Sequence, residues 1–291
     1  MRISAKGWRL AALGGNTVAL EWGDQAAGQW VQRLIGSHPC APNAVPEAVY
    51  RLHSHQNVPG FTVFAGTDCI YNGMEPEKGV HAVMEAMMQV WIRRCTDGLM
   101  LHAALLAKRG HGLLISGESG AGKSTLSAWL MLQGWTYHGD EQMYADANDM
   151  HWEGFVRPLC FKGEWAPLFP GMATQLASVE KVGGRSLVPA ALLGQMVPPE
   201  TAVRPGLMLF PTYREGGEFS LQRISAGQAA MQLVHSTLNG GNLKNRGVAQ
   251  IAEIVRVCPG YELNYGHFDQ LAPLMELLSF TVHESSQSVQ A

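Results

Sequence analysis

The sequence predicts an α/β protein in which a small strand-rich unit, residues 1–77, precedes a larger unit, residues 78–291. Three observations support this. Two short apolar runs, 7–13 and 17–22, flank Gly14-Gly15-Asn16, a pattern typical of a β-hairpin. Apolar residues then recur at helical spacing in 80–95. Farther on, an apolar run leads directly into a glycine-rich loop and a helix-forming segment, which is a strand–loop–helix order.

Local patterns predict the other elements in turn. In the first unit they indicate a helix at 24–36, a proline-rich connection at 39–46, strands near 48–54 and 61–71, and a boundary at 73–79. In the second unit they indicate strands at 99–106 and 112–116, a helix at 123–133 closed by Gly134, strands near 206–210 and 218–223, and helices near 226–238 and 248–258. Prolines break the middle of this unit into short pieces, and the last eight residues are expected to be a frayed tail.

Composition excludes several classes of protein. Hydrophobic residues make up 46% of the 291 residues and charged residues 15%, so long disorder is not expected. The net charge of −3 argues against nucleic-acid binding through a general positive field. The five cysteines form no CxxC pair, and we find no signal peptide or apolar span long enough for a bilayer. We therefore expect a cytoplasmic protein with no nucleic-acid or membrane partner, and we expect it to form a homo-oligomer.

The strongest motif is G-x-x-x-x-G-K-[ST], which the chain satisfies with the P-loop Gly117-Glu118-Ser119-Gly120-Ala121-Gly122-Lys123-Ser124, followed by Thr125. A helix N-terminus offers unpaired N–H donors and a positive dipole end to a polyphosphate. Lys123 is predicted to lie between the β- and γ-phosphates, and the Ser124 hydroxyl is predicted to ligate Mg²⁺. The sequence therefore predicts ATP and Mg²⁺ as cofactors, although the motif leaves GTP and pyrophosphate open. The competing interpretation is a simple glycine-rich turn.

An acidic pair, Asp140 and Glu141, follows the strand-like segment 135–138. A phosphate-transferring site needs a carboxylate for its metal and a proton acceptor near the attacking hydroxyl. If the short segment returns beside the P-loop strand, both acids face the γ-phosphate end of the site. A solvated turn is the alternative interpretation of this pair.

Several segments together resemble the HPr kinase/phosphorylase-like family, whose P-loop fold is shared with the phosphoenolpyruvate carboxykinases. The resemblance spans roughly residues 78–281. The segments that carry it are Leu101-His102-Ala103-Ala104-Leu105-Leu106, the P-loop through Thr125, Gly139-Asp140-Glu141, Arg157-Pro158-Leu159-Cys160-Phe161-Lys162, Leu209-Phe210-Pro211-Thr212-Tyr213 and 255–263. The resemblance implies a P-loop kinase core of the HPr kinase/phosphoenolpyruvate carboxykinase type, with the smaller strand-rich unit before it.

The resemblance also implies roles for individual residues. Asp140 is expected to be the catalytic base and Glu141 a metal ligand together with Ser124. His102 and Lys123 are expected near the phosphates as catalytic residues, and Lys162 is expected to add positive charge to the nucleotide site. For His102, a buried structural role weighs about equally.

The sequence also departs from the family pattern. It lacks the Glu-x-Arg-Gly signature of the true HPr kinases, which Gly183-Gly184-Arg185 matches only weakly. In addition, Glu141 stands where the family usually has an aspartate. These departures favour the broader group of related kinases, including those that phosphorylate the terminal serine of a peptide.

The sequence analysis therefore favours an ATP- and Mg-dependent kinase acting on a hydroxyl, by expectation a serine, of a peptide or protein. Two alternatives remain open: a kinase of small hydroxylated metabolites, and a P-loop protein that binds nucleotide and hydrolyses ATP slowly. Four arginines are candidates to assist transfer, and the sequence does not choose among them: Arg185, Arg204, Arg214 and Arg246. His53 and His55 share one face of a predicted strand, but they lack neighbouring acidic or cysteine ligands and are not expected to bind metal.

Overall fold

The computed structural model describes residues 7–34, 44–55, 58, 60–146, 148–163, 165–176, 179–182, 184–194 and 203–287. Within these ranges the chain is a mixed α/β protein with four β-sheets and seven α-helices. The helices are α1 (Gln25–Leu34), α2 (Pro76–Arg94), α3 (Lys123–Leu132), α4 (Ala173–Leu176), α5 (Ala226–Ser236), α6 (Val248–Val257) and α7 (Ala272–Gln287). None of the helices in the described part of the chain combines the length and apolar content needed to cross a membrane.

The strands are numbered in chain order. They are β1 (Gly7–Leu13), β2 (Asn16–Trp22), β3 (Ala48–Ser54), β4 (Phe61–Ala65), β5 (Asp68–Gly73), β6 (Leu99–Leu101), β7 (Ala103–Lys108), β8 (His111–Ser116), β9 (Thr136–Gly139), β10 (Met143–Asp146), β11 (His151–Gly154), β12 (Leu159–Lys162), β13 (Glu180–Val182), β14 (Arg185–Val188), β15 (Arg204–Tyr213), β16 (Ser220–Ile224) and β17 (Gly260–Tyr265).

The central sheet has six strands in the order β16-β17-β15-β8-β7-β9. Strands β8, β15 and β17 are parallel, so their carboxyl ends meet at one edge of the sheet. Strand β7 is antiparallel to both β8 and β9, which brings the start of β7 and the end of β9 to that same edge. The segments around positions 102, 117, 140, 213 and 266 are therefore neighbours in space although they are far apart in sequence.

Both faces of this sheet are covered, as the alternating side chains of β8 require. Leu113 and Ile115 face a core that includes residues of α3 and α7. Leu114 faces the opposite core, which is formed with α5 and α6. The small sheet β11-β10-β6 also contributes to the second core. The layered packing fixes the position of α3, and with it the loop between β8 and α3.

The N-terminal sheet has the order β1-β2-β3-β4-β5 and packs against α1 and α2. The helix α2 buries Val83, Met87 and Trp91 in the core of this sheet. Trp91 also meets Phe155 of the following unit, with ring centroids 4.7 Å apart. Helix α2 thus shares the core of the N-terminal sheet, and the predicted division between 1–77 and 78–291 stays a prediction.

The predicted hairpin is confirmed as β1 and β2, which are joined through Gly14 and Gly15. Two predicted strands are wrong in extent. The strand near 61–71 is the hairpin β4–β5, because the chain turns at Gly66, where φ is 61°. The strand at 99–106 is interrupted at His102, because β6 pairs with β10 whereas β7 pairs with β8 and β9.

Eight elements were not predicted from local patterns: β10, β11, β12, β13, β14, β17, α4 and α7. Strand β17 is stabilised by pairing between β15 and β16, and α7 by burial of Leu274 and Leu278. The frayed tail is wrong for its first residues, which belong to α7. Its final residues, together with Cys40 and Gly183, lie outside the described residues.

Candidate functional site

The loop between β8 and α3 carries the glycine-rich motif. Gly120 and Gly122 have φ of 94° and 90°, in the left-handed region that favours glycine. A Cβ atom on Gly122 would lie 3.0 Å from the Tyr265 hydroxyl. No side chain of the described residues caps the N-terminus of α3, whose first N–H groups have no partner within the helix. These donors and the positive end of the helix dipole are therefore available to an anion.

Two lysines flank this loop. Lys123 is 8% exposed, and its ammonium donates to the carbonyl oxygens of Gly117 and Glu118 at 2.7 and 3.2 Å. Burial lowers the pKa of Lys123, while the nearby acids oppose that shift. Lys162, at the end of β12, donates to the Ser119 hydroxyl at 2.9 Å. Two ammonium groups thus lie at the loop, where their hydrogen bonds go to carbonyl and hydroxyl oxygens.

Asp140 directly follows β9 and is buried. Its Oδ1 accepts a hydrogen bond from the Tyr137 hydroxyl at 3.0 Å and lies 3.6 Å from Nε of Arg157. Burial raises the pKa of Asp140, whereas the Arg157 charge lowers it and the Ser124 hydroxyl contributes in the same direction. Oδ2 makes no hydrogen bond within the described residues. Asp140 therefore has an oriented, buried carboxylate with one oxygen that makes no hydrogen bond.

Glu141 lies between Arg157 and His102. Its Oε1 is 2.6 Å from Nη2 of Arg157, and its backbone carbonyl is 3.1 Å from Nδ1 of His102. Because a carbonyl only accepts, Nδ1 of His102 carries the hydrogen, and Nε2 of the neutral ring is left as an acceptor. Burial, followed by the Lys123 charge, lowers the pKa of His102 and so favours this neutral form.

These groups face one cavity of about 600 Å³. The predicted site residues that line it are His102, Ser119, Gly120, Gly122, Lys123, Ser124, Thr125, Asp140, Glu141 and Lys162. The other three predicted loop residues, Gly117, Glu118 and Ala121, are not part of its lining. Gly117 and Glu118 contribute through the carbonyls that bind Lys123.

The structure adds residues to which sequence reasoning gave no role or only an undecided one. Arg157 and Tyr137 hold Asp140; Arg157 was visible only as part of a family-like segment, and no sequence signal singled out Tyr137. Of the four candidate arginines, Arg185 lines the cavity, because β14 pairs Arg185 with Lys162. Arg204 lies at the opposite end of the sheet, where it pairs with His111.

Potential metal ligands also lie outside the cavity. On the N-terminal sheet, Nε2 of His55 lies 3.2 Å from the Thr62 hydroxyl and 3.0 Å from Oδ1 of Asn72. In the described ranges, the group of three potential ligands within reach of one ion is Asp146, Asp149 and His151, on the β10–β11 hairpin.

The fold and site define a mixed α/β protein with a basic loop and an acidic pair facing one cavity. No protein-family model matches the chain, and no curated protein matches its sequence. Among solved structures it is similar to the Hpr(Ser) kinase/phosphatase from Coxiella burnetii, with a TM-score of 0.29 and 13% identity. That similarity covers 66% of this chain and 99% of the other. A similarity this low does not assign a function to this chain.

Proposed function

We propose that this chain is a kinase that uses ATP and Mg²⁺ to transfer the γ-phosphate to a hydroxyl, preferentially a serine, of a peptide or protein. The proposal rests on one observation: Asp140 and Lys123 line the same cavity. Lys123 belongs to an anion-binding loop, and Asp140 is a buried carboxylate with an unused oxygen. Transfer to a hydroxyl needs both a phosphate cradle and a proton acceptor.

The phosphates of the donor are bound by this chain's N–H groups and cations. The N-terminus of α3 supplies backbone donors, and Lys123 moves from the loop carbonyls to the phosphate oxygens. Lys162 and Arg185 face each other on β12 and β14 and bring two more positive charges to the same cavity. Arg185 is the arginine that we assign to charge stabilisation during transfer.

The oxygen atoms of the site fit a magnesium ion. Mg²⁺ prefers carboxylate and hydroxyl oxygens, which Ser124 and Glu141 offer in the lining of the cavity. Asp140, whose Oδ2 makes no hydrogen bond within the described residues, also lines this cavity. When bound, the ion neutralises charge on the phosphate oxygens. Ser124 and Glu141 are the ligands that we propose.

Asp140 accepts the proton of the attacking hydroxyl. Burial raises its pKa, which makes the carboxylate a better proton acceptor than an exposed one. Tyr137 and Arg157 both contact Oδ1 of this carboxylate, so Oδ2 is held in a fixed orientation. His102 lines the same cavity and is kept neutral, and we propose that it orients Glu141 through the hydrogen bond to the backbone carbonyl.

The test is a transfer assay with ATP labelled on its γ-phosphate, peptides that contain serine or threonine, and small hydroxylated compounds. Wild type is compared with Asp140→Asn, Lys123→Ala and the control Asp146→Asn, which changes an acid outside the cavity. We expect transfer to peptide by wild type and the control. For Asp140→Asn we expect a loss of transfer of about 10²–10⁴-fold with nucleotide binding retained.

Other outcomes would redirect the proposal. Transfer to free hydroxy compounds alone would identify a metabolite kinase. Nucleotide binding with slow hydrolysis and no transfer to any acceptor would contradict the kinase proposal and leave a nucleotide-binding protein.

A further inference from the structure

A second cavity, of about 640 Å³, adjoins the first and shares Pro167, Leu168 and Tyr213 with it. We call it the aromatic cavity and define it by Trp129, Leu132, Phe169, Met172 and Phe268. His267 and Asp269 also line it, with exposed side chains that lie 3.0 Å apart. The two cavities therefore share part of their walls, and they differ in chemistry.

The topology of the central sheet places Asp140 and the aromatic cavity on opposite sides of the glycine-rich loop. The loop follows β8, while Asp140 follows β9, which lies beyond β7 in the strand order. On the other side of β8 stand β15 and then β17. Tyr213 ends β15, and the segment from Gly266 to Asp269 directly follows β17. A triphosphate whose γ-phosphate faces Asp140 thus has its other end directed toward the aromatic cavity.

The helix that begins at the loop points to the same place. Thr125 lines the first cavity, the one of about 600 Å³, which we call the phosphate cavity. Trp129 lies one turn farther along α3 and lines the aromatic cavity. A group attached to a phosphate near Thr125 would therefore extend along α3 toward Trp129.

The walls of the aromatic cavity suit a flat, uncharged ring. Trp129 and Phe268 are stacked, with ring centroids 5.7 Å apart and planes at 19°. Phe169 lies against Phe268, also with centroids 5.7 Å apart. Phe268 is also stacked on Tyr265, with centroids 6.2 Å apart, so Phe268 backs the cavity wall. Trp129 is only partly buried, so its ring keeps surface on which another aromatic ring can stack. By contrast, Lys123, Lys162 and Arg185 all lie in the phosphate cavity.

We infer that the aromatic cavity binds the nucleobase of the phosphate donor, so that the donor is a nucleoside triphosphate and not inorganic pyrophosphate or polyphosphate. The inference rests on the proposed function, because the position of the γ-phosphate at Asp140 decides which end of the ligand enters the aromatic cavity. The rim pair, His267 and Asp269, supplies polar groups near the base or ribose.

The first experiment compares the affinities of Mg-ATP and magnesium tripolyphosphate for the full chain. Wild type is expected to bind ATP at least about tenfold more tightly, since stacking on aromatic side chains contributes this much per base. Trp129→Ala and Phe268→Ala are expected to remove most of that preference and to leave tripolyphosphate affinity within about twofold. Trp8→Ala, which changes a tryptophan on β1 that is 64% exposed, is the matched control and should behave as wild type.

The outcomes separate this inference from the proposed function. Equal wild-type affinities for ATP and tripolyphosphate overturn the inference while the phosphate site stands. Failure of both ligands to bind overturns the proposed function and the inference with it. If Trp129→Ala lowers the affinity for both ATP and tripolyphosphate, the substitution has disturbed α3 itself. Phe268→Ala, which lies outside α3, then decides whether the aromatic cavity binds the base.

A second experiment needs no variant. Wild type is photolabelled with an ATP analogue that carries an azide on its base, and the labelled peptides are mapped. Label within 129–132, 167–172 or 266–269, suppressed by excess ATP, supports the inference. Label confined to other segments, such as the N-terminal sheet, overturns it.

Discussion

The guanidinium of Arg157 lies beside the carboxylate of Asp140, with Nε 3.6 Å from Oδ1, and both side chains are almost entirely removed from solvent. Removing the arginine would leave a buried carboxylate with only uncharged hydroxyl partners, those of Tyr137 and Ser124. We therefore expect Arg157→Leu to lower the free energy of unfolding by on the order of 3–5 kcal/mol in denaturant titrations. The double variant Arg157→Leu/Asp140→Asn should recover part of that loss, because the uncompensated charge is gone.

The control for this experiment is Arg256→Leu. Arg256 pairs with Glu253 at 2.7 Å on the surface, where the two side chains are 71% and 54% exposed. Breaking such an exposed pair should cost less than about 1 kcal/mol. Similar losses from both single variants would show that the Arg157 pair is not desolvated in solution.

His102 is expected to orient the site rather than to accept the transferred proton. His102→Ala removes the hydrogen bond to the Glu141 carbonyl and leaves the Asp140 carboxylate in place. We expect kcat to fall by about tenfold, well short of the loss of roughly 10²–10⁴ for Asp140→Asn. Steady-state kinetics of both variants checks this. If kcat fell further in His102→Ala than in Asp140→Asn, the imidazole and not the carboxylate would be the base.

The contact between Lys162 and Ser119 predicts a role in nucleotide affinity. Lys162→Ala removes a cation from one side of the loop, so the Kd for Mg-ATP is expected to rise by about fivefold, and less at high salt. Lys108→Ala is the control, because Lys108 is on β7 at the opposite end of the sheet and bonds the Gln133 carbonyl. Calorimetric titration at two salt concentrations measures both, and equal effects would contradict the assignment.

Gly139 positions Asp140 through its backbone. Its φ is 150°, and a Cβ atom there would lie 2.6 Å from the carbonyl oxygen of Phe155. Gly139→Ala should therefore destabilise the fold by about 2 kcal/mol or more and displace the next residue, which lowers kcat.

Gly134→Ala provides the comparison for this variant. Gly134 also has a left-handed φ, of 81°, but a Cβ atom there meets nothing within 4 Å. Its substitution should cost about 1 kcal/mol and leave kcat unchanged. Unfolding and transfer assays of both variants test the difference, and unchanged kcat in Gly139→Ala would refute the positioning role.

His138 predicts a dependence of stability on pH. Burial lowers its pKa from 6.5 to about 4, so the unfolded chain takes up a proton between these values and the folded chain does not. The contribution of neutral, buried His138 to the unfolding free energy is fully present above pH 6.5 and is lost as the pH falls toward 4. We expect this group to account for about 2 kcal/mol of the fall in unfolding free energy between about pH 7.5 and 5.

The variant His138→Gln should remove that part of the fall in denaturant titrations without nucleotide or metal. His81→Gln, which changes an exposed histidine on α2, should keep the wild-type slope. The assignment would fail if His138→Gln kept the full wild-type slope.

Elements with strong local signals were predictable. The strand–loop–helix of 112–133 and the helices α5 and α6 lie close to their predicted positions, because apolar spacing and glycine placement act over a few residues. Strand β10 was missed, because it is stabilised by pairing with β6, some forty residues earlier in the chain. Strand β11 was missed with it, because β11 pairs with β10. Strand β7 was mistaken for a continuation of β6 for the same reason.

The site divides in the same way. The phosphate loop and the acidic pair could be proposed from neighbouring residues, whereas the choice of Arg185 over Arg204 required the pairing of β14 with β12. The aromatic cavity combines residues of α3, the segment after β12 and the segment after β17. No local pattern links these three segments.

By itself, the sequence determined an α/β chain with a strand–loop–helix around Lys123 and an acidic pair at Asp140 and Glu141. These features depend on backbone preferences and side-chain chemistry within short segments. Only the tertiary structure decided that Arg157 and Tyr137 hold Asp140, and that the loop stands between an acidic and an aromatic region. Those contacts arise from strand order and burial, which join residues distant in the chain and which short-range periodicity does not encode.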